Sequence, residues 1–226
     1  MKVIPPAPTA GDARDTLDRS IFRATRSLKD SERWKLARSD NRYGLQDLMN
    51  DFHCATAVDL DMAKHPQLKA VLDIVYRENG SASGYLKEQY KRKRPFLIDA
   101  GEICIARDED LVGSWDYPSG HATLSWATGL VLAELFPSHA SAIMARARAY
   151  GESRIICGVH NASAVEAGRT LGAAVFAALQ ATPGFQKALN GAKKELAQVP
   201  GSAFNTTTCA TETKILALSP YPYSKK

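Results

Sequence analysis

The sequence predicts an all-α fold, a single-domain helical bundle built around apolar central helices. Apolar residues recur at helical three-and-four spacing in several segments, and no segment shows convincing strand-like alternation. Two segments, 122–136 and 164–180, are apolar around most of their circumference. A chain of 226 residues fits one domain, which is assigned to residues 1–226.

Start and stop signals place the helices of this bundle. Pro66 stands where a first helical turn tolerates proline, while Arg94-Pro95 and Pro137 end helices. The predicted helices are Asp15–Leu28, Ser31–Ala37, Gln67–Arg77, Gly84–Lys93, Ala122–Phe136, His139–Tyr150, Ala164–Gln180 and Phe185–Ala197.

Three stretches are predicted to lack regular structure. Residues 1–10 hold three prolines and form an extended lead-in. Residues 99–120 form a long loop, and long loops in compact domains are often functional. Residues 199–226, rich in Thr, Ser and Pro, form a tail that wraps the surface or is partly disordered.

Composition restricts the class of protein. The chain is 45% apolar and 23% charged, and its net charge of +5 suits an anionic substrate without indicating a nucleic-acid polymer as partner. No apolar run approaches the roughly 20 residues that cross a bilayer, so no membrane span is predicted. The cysteines show no metal-binding spacing, and two disulfides or free buried thiols are equally open for Cys54, Cys104, Cys157 and Cys209.

Three short segments carry residues suited to binding an anion. In the first, Lys87 precedes the Arg94-Pro95 pair by about two helical turns, so both cations are expected on one helix face. The second is Pro118-Ser119-Gly120-His121, at the start of an apolar helix where backbone N–H groups bind anions. The third is Ser153-Arg154-Ile-Ile-Cys-Gly-Val-His160.

Each segment alone has a structural explanation, as a solvated helix face, a turn with a helix cap, or a structural histidine. Together they supply two histidines, three long cations, a hydroxyl and a glycine backbone, with almost no carboxylate nearby in sequence. Arginine matches the geometry of phosphate oxygens and lysine adds a point charge. The set therefore predicts a phosphate site that uses no metal and no cofactor.

The order Lys-x6-Arg-Pro, Pro-Ser-Gly-His, Ser-Arg-x5-His resembles the three-part signature of the phosphatidic acid phosphatase type 2 (PAP2) and vanadium haloperoxidase superfamily. The stretch 119–197 is most similar to the class A bacterial non-specific acid phosphatases, through SGHATLSWATGLVLAELFP and ESRIICGVH. The resemblance covers about residues 51–197. It implies an acid phosphatase that hydrolyses phosphate monoesters of broad specificity through a phosphohistidine, with phosphotransfer to alcohol acceptors as a further activity.

The resemblance also implies a role for each matching residue. His160 would attack phosphorus, and His121 would protonate the leaving oxygen and then activate water. The equatorial oxygens would be held by Lys87, Arg94, Ser119, the Gly120 amide and Arg154. Phosphoryl transfer depends on such positioning and charge stabilisation, which agrees with this assignment.

One position departs from the family pattern. The family has an Asp four residues after the nucleophilic His, and here Ala164 stands at that position. The site is therefore expected to lack its orienting carboxylate, and Ala164→Asp is expected to raise kcat. Glu166 is the nearest acid, but Ser163 and Glu166 fit a capping box with Ser163 at the N-cap.

This departure keeps a second hypothesis open, a degenerate member that binds phosphate but turns over weakly. A vanadate-dependent oxidase is disfavoured because chains of that branch are usually much longer, and a membrane lipid phosphatase is disfavoured by the missing spans. Residues 115–117 either line the substrate mouth or simply pack. The expected partners are small phosphorylated substrates and further copies of the chain in a homo-oligomer. The expected location is periplasmic or secreted, with no signal peptide in this chain.

Overall fold

The computed structural model describes residues 3–197, 199 and 206–221, and α-helices form most of this part of the chain. No strand occurs among these residues, so the all-α prediction is confirmed. The helices are α1 (Ala13–Thr25), α2 (Glu32–Ser39), α3 (Leu45–Thr56), α4 (Pro66–Tyr90), α5 (Glu109–Gly113), α6 (Gly120–Leu135), α7 (Ala140–Cys157), α8 (Ala162–Gln180), α9 (Pro183–Leu196) and α10 (Thr206–Leu216).

Helix α6 lies at the centre of the bundle and packs against α7 and α8. Two glycines let the backbone of α8 approach α6 closely. A Cβ atom on Gly168 would lie 2.7 Å from the carbonyl oxygen of Ser119, and one on Gly172 would lie 2.5 Å from that of Thr123. Because no side chain fits at either position, α8 rests directly on the first turns of α6.

The largest apolar cluster joins α3, α4, α6, α7 and α9. Helix α4 contributes Leu68, Val71, Leu72 and Val75, which recur at helical spacing and are all fully buried. Complete burial of one such side chain contributes about 1.5–3 kcal/mol of transfer free energy. The cluster therefore fixes the helices that carry the three motif segments.

Several helix boundaries differ from the predicted ones. Gln67–Arg77 and Gly84–Lys93 are parts of the single helix α4, because glycines and polar residues near Gly80 interrupt the apolar pattern without interrupting the helix. Helix α4 ends at Tyr90, before Lys91 with its left-handed φ of 45°. The predicted helix His139–Tyr150 continues to Cys157, so that the Ser153-Arg154 pair is helical.

Three helices lie outside the predicted set. Helix α3 buries Leu48, Met49 and Phe52 at helical spacing, and α5 interrupts the predicted 99–120 loop. The prediction of an irregular tail is wrong where the tail is described, because Thr206–Leu216 is helical. Residues 198, 200–205 and 222–226 lie outside the described residues, as do Met1 and Lys2 of the lead-in.

All four cysteines are bonded, which resolves the alternative that the sequence left open. Cys54–Cys209 joins α3 to α10, and Cys104–Cys157 joins the 99–120 loop to the end of α7. The bonds span sequence separations of 155 and 53 residues. In the chain-entropy model, loops of that size stabilise the fold by about 5 and about 4 kcal/mol.

The lead-in is irregular over residues 3–10, as predicted, yet it is tied to the body of the protein. Ile4 is buried in one cluster with Tyr117 and Ala164, and the Tyr117 hydroxyl donates to the carbonyl of Pro5 at 2.9 Å. The lead-in thereby covers the segment that precedes Ser119. None of the helices described above combines the length and apolar character that crossing a bilayer requires.

Candidate active site

His160 lies in the short connection between α7 and α8 and is 3% exposed. Helix α7 ends at Cys157, and the next residue, Gly158, has a φ of 82° that favours glycine and turns the chain toward α8. The Nδ1 atom of His160 lies 2.7 Å from the carbonyl oxygen of Asp116 and 3.1 Å from its Oδ1. The Nε2 atom lies 3.2 Å from Nη1 of Arg94. Because both Asp116 atoms accept and arginine only donates, Nδ1 carries the proton and Nε2 keeps its lone pair.

Lys87 and Arg94 converge on the segment just before Asp116. Lys87, in the last turn of α4, donates to the Trp115 carbonyl at 2.5 Å and to Oγ of Ser114 at 3.4 Å. Arg94 donates to the carbonyl and the Oγ of Ser114 and, at 2.7 Å, to the carbonyl of Val159. The expectation that both cations project from one helix face is wrong, because Arg94 lies beyond the end of α4.

Arg154 brings the third segment to the same site. It lies in the last turn of α7 and donates from Nη2 to Oδ1 of Asn41 at 2.9 Å. Its Nε and Nη1 atoms are buried without a hydrogen-bond partner. Within the described residues, none of Lys87, Arg94 and Arg154 forms an ion pair with a carboxylate. Buried donors without partners are costly, so an anion that accepts from them would be held strongly.

The Pro-Ser-Gly-His segment begins α6, as predicted. Ser119 is the N-cap, and its Oγ accepts from the Ala122 N–H. Its own N–H donates to the carbonyl of Ala164 at 2.9 Å and is already used. The Gly120 and His121 amides belong to the first turn, whose N–H groups have no partner within the helix and favour anions.

His121 is held from two sides. Its Nε2 lies 3.0 Å from the carbonyl oxygen of Asn41, the residue whose side chain binds Arg154. Its ring also packs on Tyr43, with ring centroids 4.6 Å apart. Because a carbonyl only accepts, Nε2 carries a proton and Nδ1 is the nitrogen left to exchange one.

The electrostatics tie these groups into one site. Burial lowers the pKa of His160 well below its usual value, and Arg94, Lys87 and Arg154 lower it further. Burial likewise lowers the pKa of His121, with Arg154 as the next cause and His160 and Arg94 as smaller ones. Burial, followed by Arg94, lowers the pKa of Lys87 to about 7. An anion bound among them would raise the pKa of each group, because it adds negative charge beside them.

Residues 163–166 do not form the predicted capping box. Helix α8 begins at Ala162 with Asn161 as N-cap, and the Ser163 hydroxyl and N–H both donate to Asp18. The Glu166 carboxylate contacts the Tyr221 hydroxyl at 3.4 Å on the surface. Position 164 offers no carboxylate, but the carboxylate of Asp116 lies 3.1 Å from Nδ1 of His160, so the site does have an acid beside this histidine.

The sequence reasoning missed two residues of the site, Asn41 and Ser114, and named Asp116 only as a residue that lines the substrate mouth or packs. Asp116 and Tyr117 do not line a mouth, since both are 0% exposed. The one available signal was the position of Ser114 and Asp116 in the loop directly before the Pro-Ser-Gly-His segment. Asn41 carried no signal. Over the described residues, no group of three or more His, Cys, Asp or Glu is arranged as metal ligands.

Comparison with known proteins gives consistent matches. The family model of the PAP2 superfamily matches residues 74–186. An acid phosphatase of Zymomonas mobilis is 38% identical over 88% of this chain and 75% of its own length. Non-specific acid phosphatases of Providencia stuartii and Salmonella typhi are 32% and 33% identical, over 88% and 85% of this chain and 81% and 78% of their own lengths.

One solved structure resembles the fold. A transmembrane PAP2-type phosphatidylglycerolphosphate phosphatase from Bacillus subtilis gives a TM-score of 0.51 at 17% identity. The likeness covers 79% of this chain and 88% of that protein. At this identity the comparison concerns the arrangement of helices alone.

Proposed function

Since the chain belongs to the PAP2 superfamily, we propose that it is an acid phosphatase that hydrolyses phosphate monoesters through a phosphohistidine on His160. The family membership confirms the resemblance drawn from the three motifs. The relatives named acid phosphatase or non-specific acid phosphatase support the activity. The observation that carries the proposed mechanism is the setting of the His160 ring, with Nδ1 facing two acceptors of Asp116 and Nε2 beside a donor of Arg94.

The first chemical step uses the lone pair of His160 Nε2. It forms an N–P bond in line with the ester oxygen, whose P–O bond breaks, and the leaving oxygen takes a proton from Nδ1 of His121. In the second step His121 Nδ1 takes a proton from water, whose oxygen attacks phosphorus and breaks the N–P bond. An alcohol in place of that water would give the proposed phosphotransfer.

The cations hold the phosphoryl group during both steps. Lys87, Arg94 and Arg154 supply the positive charge that many phosphatases take from metal ions, which supports metal-independent hydrolysis. The low pKa of the free-site histidines does not prevent acid catalysis by His121. A bound phosphoryl anion raises the pKa of His121, because it places negative charge beside the imidazole.

Broad substrate specificity is part of the proposal, because the proposed binding groups recognise the phosphoryl part of the ester. The residues named above contact the phosphoryl group and leave the alcohol side of the ester unspecified. Location in an oxidising compartment, periplasmic or outside the cell, is supported by the two disulfides. The homo-oligomer stays a prediction, to be checked by light scattering on the purified protein.

Hydrolysis of an aryl phosphate at pH 5–6 tests the function directly. We expect turnover in excess EDTA, inhibition by vanadate, and an acid-labile, base-stable phosphoenzyme in rapid-quench samples. His160→Ala is expected to lose the phosphoenzyme and at least ~10⁴-fold in kcat. Phosphate binding without hydrolysis in the wild type would instead favour the degenerate phosphate-binding member, and loss of activity in EDTA that zinc or magnesium restores would contradict the metal-free mechanism.

A further inference from the structure

A carboxylate lies against His160 at a position that the family pattern does not assign. Oδ1 of Asp116 is 3.1 Å from Nδ1 of His160, and the carbonyl oxygen of the same residue is 2.7 Å from that nitrogen. The pattern expects an acid four residues after His160, which would lie in α8. Here the acid comes from the loop before α6 instead.

The Asp116 carboxylate is surrounded by donors and is 0% exposed. Its Oδ1 also accepts the N–H of Asn161 at 3.0 Å, and its Oδ2 accepts Nδ2 of Asn161 at 2.8 Å and Nη1 of Arg92 at 3.3 Å. Arg92 is itself fixed by ion pairs with Asp15 and Asp18. Burial raises the pKa of Asp116, and Arg92 together with the two N–H donors of Asn161 acts against that rise. Every contact of the carboxylate is one that an anion makes, so these neighbours favour its charged form and hold it in place.

We propose that Asp116 is the positioning residue of His160 in this chain, taking the part that an acid at position 164 would take. The proposal rests on the function of His160 proposed above. The carbonyl of Asp116 makes the shorter contact and fixes the tautomer. The carboxylate adds negative charge beside a ring that becomes positive when Nε2 bonds to phosphorus, while the Nδ1 proton stays on the ring throughout.

Position 164, where the family pattern has an acid, has apolar surroundings in this protein. Ala164 is fully buried in an apolar cluster with Ile4, Tyr117 and Leu171, and its carbonyl accepts from Ser119. An Asp side chain there would bring an unpaired charge into that cluster. Ala164→Asp is therefore expected to destabilise the protein and leave kcat no higher, contrary to the expectation from the motif alone.

The decisive variant is Asp116→Asn, with Asp18→Asn as its matched control. Both remove one buried carboxylate from Arg92, but Asp18 does not contact His160. We expect Asp116→Asn to lower kcat and the rate of phosphoenzyme formation by ~10–10³-fold, less than the loss cited for a serine-protease triad because the carbonyl remains. KM is expected to change less than about threefold, and Asp18→Asn to keep kcat within about threefold of the wild type.

The ¹⁵N NMR signals of the His160 ring give a readout that does not depend on turnover. The wild type is expected to show Nδ1 protonated and Nε2 not, with the signals assigned by their loss in His160→Gln. Asp116→Asn is expected to shift the Nδ1 signal and Asp18→Asn to leave it in place.

Three results would overturn the proposal: an Nε2–H tautomer in the wild type, a kcat loss in Asp116→Asn no larger than in Asp18→Asn, or a rise in kcat on Ala164→Asp. Should Asp116→Asn not fold, the wild-type spectrum and Ala164→Asp still decide. A phosphoenzyme that persists in His160→Ala would instead refute the proposed function. The contacts and tautomer of the His160 ring in the wild type would not be contradicted by that result.

Discussion

Two groups of buried cations differ in what surrounds them. The paired arginines, Arg92 and Arg146, face carboxylates. Arg146 lies 2.6 Å from Asp40 and contacts Asp51 and Glu212, and Arg92 contacts three acids. The cations of the proposed phosphate site are Lys87, Arg94 and Arg154. Among the residues that the structure describes, their hydrogen-bond partners are hydroxyls, amide or carbonyl oxygens and one imidazole.

The difference appears in the electrostatics of the two groups. Asp40 and Asp51 raise the pKa of Arg146 despite burial, whereas burial dominates for Arg154 and lowers its pKa to about 10. A cation compensated by acids contributes to folding, while one without acids is a cost that a bound anion can offset. Substitutions in the two groups are therefore expected to affect different measurements.

The largest effect on stability is expected from Arg146→Met. This change leaves Asp40 and Asp51 buried without their cation, and breaking such a pair from one side costs about 3–5 kcal/mol. Urea unfolding measures this loss. An Arg146→Met protein as stable as the wild type would show that the paired arginines contribute nothing to folding.

Arg154→Met is expected to produce the opposite pattern. Removal of one cation from the phosphoryl group lowers kcat/KM by ~10²–10³-fold. Because Arg154 forms no ion pair with a carboxylate in the part of the chain that the structure describes, the free energy of unfolding is expected to stay within about 1 kcal/mol of the wild type or to rise. Steady-state kinetics and urea unfolding on the same preparation measure the loss of activity and the change in stability. A large stability loss in this variant would remove the distinction between the two groups of cations.

His121→Ala tests the proposed role of His121 as the general acid. The loss in kcat is expected to be ~10²–10⁴-fold for an alkyl phosphate and about tenfold or less for a nitrophenyl phosphate, since a good leaving group needs little protonation. The kcat values of His121→Ala and Arg154→Met are measured on both substrates. A loss that depends on the leaving group indicates proton transfer, and a similar loss on both substrates indicates charge stabilisation. Equal losses on the two substrates would argue against His121 as the general acid.

The smallest effect is a pH dependence of anion binding. The pKa of Lys87 is lowered to about 7, so its ammonium charge is present below that pH and is lost as the pH rises. Competitive inhibition by sulfate, which does not titrate in this range, is expected to weaken by up to about fivefold between pH 7 and pH 8. Lys87→Met is expected to bind sulfate weakly at every pH, without the loss of affinity between pH 7 and pH 8. If the variant still loses affinity over that range, the titrating group is not Lys87.

The sequence was sufficient to single out the motif residues that the structure brings together, because the signature depends on residue type and order. The turn residues and the apolar run after them placed the Pro-Ser-Gly-His segment at a helix start, although the helix begins at Gly120, two residues before the predicted Ala122. The single length of α4 could not be predicted, because Gly80 and its polar neighbours break the apolar period. Tertiary packing of Asn79 and Ser83, both buried, maintains the helix there.

The acid beside His160 could not be predicted for a different reason. Asp116 is 44 residues away from His160, and only the folded chain brings the two together. The capping-box pattern at Ser163 was misleading, because Asp18 competes for the Ser163 hydroxyl. The disulfide partners likewise depend on packing, since four cysteines allow three pairings.

The contacts of Lys87 and Arg94 with Ser114 and its neighbours have a thermodynamic consequence. Ordering a long cationic side chain costs up to about 1.5–2 kcal/mol of rotamer entropy. In the free protein these two side chains are already held by neutral oxygens, so this cost is incurred when the chain folds. When a phosphate ester binds, Lys87 and Arg94 exchange these acceptors for phosphate oxygens. The entropy of binding then includes no cost for immobilising two flexible side chains.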